Sequence, residues 1–186
     1  MLKKSLIIIS VLSSLLFQAC SDEKKEKEVV ENLVSANEYV LTGLDNKQYI
    51  VKKEGNGFVL EGAEDKVVMF DIFATWCPPC RAEATHLASL VKKHKGNFIV
   101  IGVTIENNVP NEKLLEFQKK YNANYTLVNS SENHRLSDAI VTELKLGKRY
   151  PIPTMALYKN GKLINHYIGA TEEEFIDSDI KRALGI

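Results

Sequence analysis

Cysteine is scarce, with three among 186 residues, so the chain is not a small scaffold stapled by disulfides. Basic and acidic residues balance at 24 each, and no basic field is present to attract nucleic acid or an anionic bilayer. No second Cys-x-x-Cys accompanies Cys77 and Cys80, and His86, His94, His134 and His166 lack metal-ligand spacing. A structural zinc site is therefore a poor reading. Residue 81 is Arg rather than His, which excludes c-type haem attachment at this pair. No cofactor, metal or nucleic-acid partner is expected. Internal repeats and low-complexity core segments are absent too, and the length suits one domain with a proper core.

What remains is organised around residues 67–81. Val67 to Phe73 is a short apolar run, β-branched and aromatic, as expected for a strand buried on both faces of a parallel sheet. One carboxylate, Asp71, interrupts it. Trp76 then leads into Cys77-Pro78-Pro79-Cys80, and a helical pattern follows from Arg81 to Lys95. Two cysteines two residues apart at a strand-to-helix turn read as a redox pair. Disulfide exchange needs one thiolate to attack and a second thiol near enough to resolve the mixed disulfide. The two prolines remove donors that would otherwise point at the Cys77 sulfur, leaving the Cys80 N–H and the helix dipole to favour a thiolate. Cys80, Ala84, Leu87 and Val91 share a stripe, so Cys80 is expected to face the core and Cys77 to stay accessible. A purely structural disulfide is the bland alternative.

Asp71 has a physical reason to matter. A lone carboxylate among Val, Met, Phe and Ile is costly unless paired or functional. Burial would raise its pKa and suit it to accept a proton from Cys80; the plain alternative is a lysine partner at the strand end.

Upstream, Lys3 and Lys4 precede an apolar stretch from Leu6 to Phe17 that is too short to span a bilayer and has the layout of a secretory signal. It ends in Phe17-Gln18-Ala19-Cys20, which resembles a bacterial lipoprotein lipobox, with Phe17 where leucine is usual. The expected organisation is a signal peptide at 1–19, a lipid-bearing Cys20 with a charged linker to residue 38, and a domain at 39–186. An ordinary cleaved signal, or an uncleaved anchor, is the alternative. Tyr39 to Leu60 reads as β-structure with turns at Asp45-Asn46 and Gly55-Asn56-Gly57. Phe98 to Thr104 is a second buried strand. Glu112 to Tyr121 follows as a helix with Leu114, Leu115, Phe117 and Gln118 inward, then a short strand at Tyr125–Val128 and a helix from His134 to Leu146. Asn160-Gly161 between alternating runs signals a hairpin. Thr171 and Glu174 read as the capping box of a last helix.

Trp76-Cys77-Pro78-Pro79-Cys80, with Ile152-Pro153-Thr154 before a Lys-Asn-Gly hairpin, resembles the thioredoxin fold. The signal segment and Cys-Pro-Pro-Cys-Arg-Ala-Glu are similar to the TlpA/ResA-like branch of exported thiol–disulfide oxidoreductases. The resemblance implies a three-layer α/β fold, its central mixed sheet flanked by helices, here with an N-terminal β-hairpin extension. It also implies Cys77 as nucleophile, Cys80 as resolving thiol, and a cis peptide before Pro153 packed against the pair. Asp71 matches the buried acidic position of thioredoxins, where the TlpA/ResA branch more often has Asn. Glu83 matches an active-site glutamate of ResA-like proteins, although Ala84-Thr85 replaces the proline that often follows; an exposed helix residue is the alternative. Trp76 is expected to shield the site, Arg81 to be an exposed helix residue, and Tyr150 to line the groove beside Pro153. The implied activity is reduction of protein disulfides, apocytochrome c among the family-typical substrates, by a monomer in the bacterial periplasm. That monomer would be held to a membrane through Cys20 and recharged by a membrane thiol–disulfide electron donor. A disulfide-forming oxidase and a non-catalytic chaperone or binding lipoprotein are the rival readings.

Overall fold

In the computed structural model, residues 36–186 are described; the signal segment, Cys20 and most of the charged linker lie outside the described residues. Strand β4, Val67–Phe73, is buried at every position and lies at the centre of a five-stranded sheet. Its parallel neighbour is β5, Phe98–Thr104, which pairs in turn with the short edge strand β6, Thr126–Val128. On its other side β7, Thr154–Lys159, runs antiparallel and forms a hairpin with β8, Lys162–Ile168. The order is thus β6-β5-β4-β7-β8, a mixed sheet. Asn160 and Gly161 at the hairpin tip both take positive φ, the requirement of the tight turn their sequence signals.

Alternation along the strands builds two cores. Val67, Met69 and Phe73 face a layer formed by helices α1 (Pro78–Lys93), α2 (Asn111–Lys120) and α4 (Glu173–Leu184). Val68, Phe70 and Ile72 face helix α3 (Asn133–Glu143) and an N-terminal sheet. That sheet contains the expected hairpin and adds a third strand to it. Strands β1 (Glu38–Thr42), β2 (Gln48–Glu54) and β3 (Gly57–Leu60) form a three-stranded antiparallel unit, because β3 pairs back on β2. Its Phe58 ring packs edge-on against Phe70 and Tyr158 of the central sheet.

Two local readings are corrected. Leu115 is exposed, and only Leu114 and Phe117 of α2 are buried. The Thr171–Glu174 capping box does not form, since α4 starts at Glu173 without a side-chain cap. Thr171 N–H, which a capping glutamate would take, donates instead to Glu83 Oε2 at 2.8 Å. Further along this seam His94 and Lys93 at the end of α1 hold Asp177 of α4, at 2.6 and 2.9 Å.

Candidate active site

The C-terminal end of β4 delivers the chain to the site. Phe73 and Ala74 are buried, and Thr75 is fixed by side chains: Glu106 accepts its N–H at 2.5 Å and its hydroxyl at 3.0 Å, while Arg81 Nε donates to its carbonyl at 2.9 Å. Lys113 completes the arrangement with an ion pair to Glu106 at 2.8 Å. Burial pushes the Glu106 carboxyl up, but hydrogen bonds from Lys113 and Thr75 outweigh it and leave the group below its ordinary value. Trp76 follows, exposed to 58%.

Cys77 is the N-cap of α1 and forms a disulfide with Cys80, the two Cα atoms 5.3 Å apart. The prolines occupy the first two helical positions, and the Cys80 N–H donates to Cys77 Sγ at 3.2 Å. This is the single donor the spacing predicts. The peptide before Pro153 is cis, and the Ile152 carbonyl oxygen lies 3.5 Å from Cys77 Sγ. Strand β7 thereby brings Pro153 to the disulfide across some seventy residues of sequence. Both cysteines are buried at 2% exposure, which corrects the expected accessibility of Cys77. In the disulfide its sulfur is turned inward towards Cys80, under the Ile152 carbonyl.

Two buried carboxylates belong to the elements that carry the pair, Asp71 on β4 and Glu83 on α1. Asp71 shares the α1-facing side of β4, and its one hydrogen-bonded oxygen, Oδ2, receives the Tyr125 hydroxyl at 3.4 Å. Burial, with the Glu83 charge adding to it, pushes Asp71 up to about 8 in spite of Tyr125. Glu83 is fully buried rather than solvated. Its Oε2 takes the Thr171 N–H, and His86, one turn further along α1, places Nδ1 3.2 Å from the Thr171 carbonyl oxygen. Burial pushes the Glu83 carboxyl up as well, against the Thr171 N–H and His86. Asp71 Oδ1 and Glu83 Oε1 have no hydrogen-bond partner among the described residues, so no donor there offsets the cost of burying charge.

The structure thus joins Cys77 to Cys80 and to the Ile152 carbonyl before Pro153, and sets Asp71 within reach of the Glu83 charge, while Trp76 directly precedes the pair in the chain. Tyr150 packs instead against the opposite core, and Arg81 is half-buried over the Tyr121 ring while it holds Thr75. Thr75, Glu106 and Tyr125 escape the sequence reading. Only Gly102, an isolated glycine inside a strand, signals a close approach there.

The Redoxin family profile matches residues 42–184. The chain belongs to the Redoxin family. Among curated relatives, the thiol-disulfide oxidoreductase ResA of Bacillus subtilis is 25% identical over 146 residues, covering 76% of this chain and 75% of ResA. A thioredoxin-family thiol:disulfide interchange protein from Chlorobium tepidum shares the fold with a TM-score of 0.60 at 19% identity, over 80% of this chain and 94% of that one. A secreted Mycobacterium tuberculosis disulfide oxidoreductase does so with a TM-score of 0.56 at 16% identity, over 80% and 98%. This Redoxin protein is TlpA/ResA-like, and with its Cys77–Cys80 disulfide it is a thiol–disulfide oxidoreductase.

Proposed function

We propose that this chain is an exported, membrane-anchored reductase of protein disulfides, with Cys77 as the attacking thiolate and Cys80 as the resolving thiol. The observation that carries this reading is the placement of Cys77 Sγ, at a helix N-terminus with the Cys80 N–H at 3.2 Å and the Ile152 carbonyl at 3.5 Å. A helix N-terminus stabilises a thiolate, and the segment before the cis proline offers backbone to an extended substrate.

In the forward direction the Cys77 thiolate attacks one sulfur of a substrate disulfide. A mixed disulfide forms, and the first substrate thiolate departs and takes a proton from solvent. Cys80 then gives its thiol proton to the Asp71 carboxylate and attacks Cys77 Sγ. The intramolecular disulfide closes and the second substrate thiolate leaves. Two electrons pass from the dithiol to the substrate. A carboxyl titrating at about 8 is closely matched to a thiol near 8.5, the condition for efficient proton transfer either way. In the return direction protonated Asp71 supplies the Cys80 proton while a membrane dithiol donor reduces the pair. The secretory layout before Cys20 and the secreted relative support a periplasmic site, with Cys20 as the lipid attachment and the domain acting as a monomer. Apocytochrome c is one candidate substrate class.

The decisive experiment is trapping with the full chain carrying Cys80→Ser. Substrate proteins should accumulate as mixed disulfides through Cys77, and none should form with Cys77→Ser. Equilibration with glutathione fixes the direction: a potential near about −270 mV supports reduction, and one near about −120 mV overturns it in favour of an oxidase.

A further inference from the structure

Asp71 is reached by one hydrogen-bond donor among the described residues, and that donor comes from two strands away. Tyr125 immediately precedes β6, at the sheet edge, whereas Asp71 lies on β4. Between them runs β5, where Gly102 is the residue paired with both Asp71 and Leu127. A Cβ at Gly102 would meet Tyr125 Cε2 at 3.2 Å and Leu127 Cδ2 at 2.6 Å. The missing side chain is thus what lets the Tyr125 ring lie across β5 and bring its hydroxyl to Asp71 Oδ2. The tyrosine's backbone is held in place, since Gln118 Nε2 donates to its carbonyl at 3.0 Å and its own N–H to Ala123 at 2.8 Å.

We propose that Tyr125, admitted by Gly102, is a positioning residue that keeps Asp71 able to ionise, and so able to take the Cys80 proton, near neutral pH. The inference rests on the reading of Asp71 as the proton acceptor of Cys80. At 3.4 Å the contact is long for an O–H···O bond. It can shorten when Asp71 becomes charged, because charge-assisted bonds of this kind are shorter and stronger. The hydroxyl therefore stabilises the carboxylate more than the acid, against the burial and the Glu83 charge that act the other way. The groups facing Asp71 are few. Glu83 acts on it from α1 and Tyr125 from the β6 side, while the core on that face of β4 also holds the two cysteines and the apolar Ile176 and Ile180 of α4. The tyrosine keeps its own proton throughout, since burial and the neighbouring carboxylates push its pKa well above the ordinary value.

The test is Tyr125→Phe in the full chain, which keeps the ring and removes the hydroxyl. Carboxyl-carbon NMR of the oxidised protein, with Asp71→Asn to assign the signal, should place the Asp71 midpoint about one pH unit higher than in the wild type. An unmoved midpoint overturns the proposal. The pH profile of insulin-disulfide reduction should move on its acid side in the same direction. A shifted midpoint with an unshifted profile overturns it too, and Asp71→Asn then separates the causes. If that variant also leaves the profile unchanged, the reading of Asp71 as proton acceptor has failed; if it alters the profile, only the part given to Tyr125 has.

Discussion

Glu83 Oε2 accepts the backbone N–H of Thr171 at 2.8 Å, which ties the helix of the cysteines to the segment that follows β8. The carboxylate thus has two effects, as an acceptor for Thr171 and as a negative charge acting on Asp71. Glu83→Gln retains an acceptor and deletes the charge, so folding stability should hold while the Asp71 midpoint falls from about 8. Glu83→Ala leaves the part-buried Thr171 N–H unpaired and should cost about 1–3 kcal/mol in urea unfolding. Equal stability of the two variants would refute the acceptor role.

Asp71 makes stability depend on pH in a direction opposite to most carboxylates. Folded, it is half-ionised only at about pH 8; unfolded, it ionises near about 3.9. Between those values the unfolded chain has released a proton that the folded chain retains, so stability falls as pH rises and levels off above the folded midpoint. Asp71→Asn removes this dependence. Its stability relative to the wild type should improve by about 3–5 kcal/mol between pH 4 and pH 8.5, read from urea midpoints. Parallel pH profiles for the two proteins would contradict the burial assigned to Asp71.

The large features were legible because local pattern and tertiary role agree. Val67–Phe73 and Phe98–Thr104 read as buried strands from composition alone and occupy those bounds. Pro78 and Pro79 announce the start of α1, and Asn160-Gly161 the last hairpin. The misreadings arise where a distant group intervenes. Thr171 and Glu174 have the spacing of a capping box, but Glu83 takes the N–H the motif needs. For Glu83 the alternative of an exposed helix residue fails, since the side chain is buried and bonded to the segment at Thr171. Tyr125 could not be matched to Asp71 without the strand order β6-β5-β4, which no local pattern encodes.

Glu106 should matter to the turn that carries the cysteines although it touches neither. Glu106→Ala strands the Thr75 N–H and hydroxyl and deprives Lys113 of its partner. We expect a loss of about 1–3 kcal/mol in unfolding free energy and a fall in kcat/KM for insulin reduction. Glu106→Gln, which still offers an oxygen, should fall between that variant and the wild type. Because the Glu106 carboxyl sits below its ordinary pKa, the advantage of the wild type over Gln should be present above about pH 4.3 and fade below it.

Trp76 is the converse case, exposed yet beside the disulfide. Trp76→Ala should leave stability within about 0.5 kcal/mol of the wild type, as for a largely exposed position. It should raise KM for protein disulfides while leaving the rate with a small aromatic disulfide unchanged. A drop of several degrees in Tm would show that the indole is a packing residue instead.

Thr75 has its N–H, its hydroxyl and its carbonyl all engaged by Glu106 and Arg81, and none of those bonds involves sulfur. The order of the turn is therefore settled when the chain folds and not when the disulfide closes. Fixing a residue's backbone costs about 1–2 kcal/mol of entropy, and here that cost falls once in the life of the molecule. Each catalytic cycle can break and remake the bond between Cys77 and Cys80 without ordering the backbone at Thr75 anew.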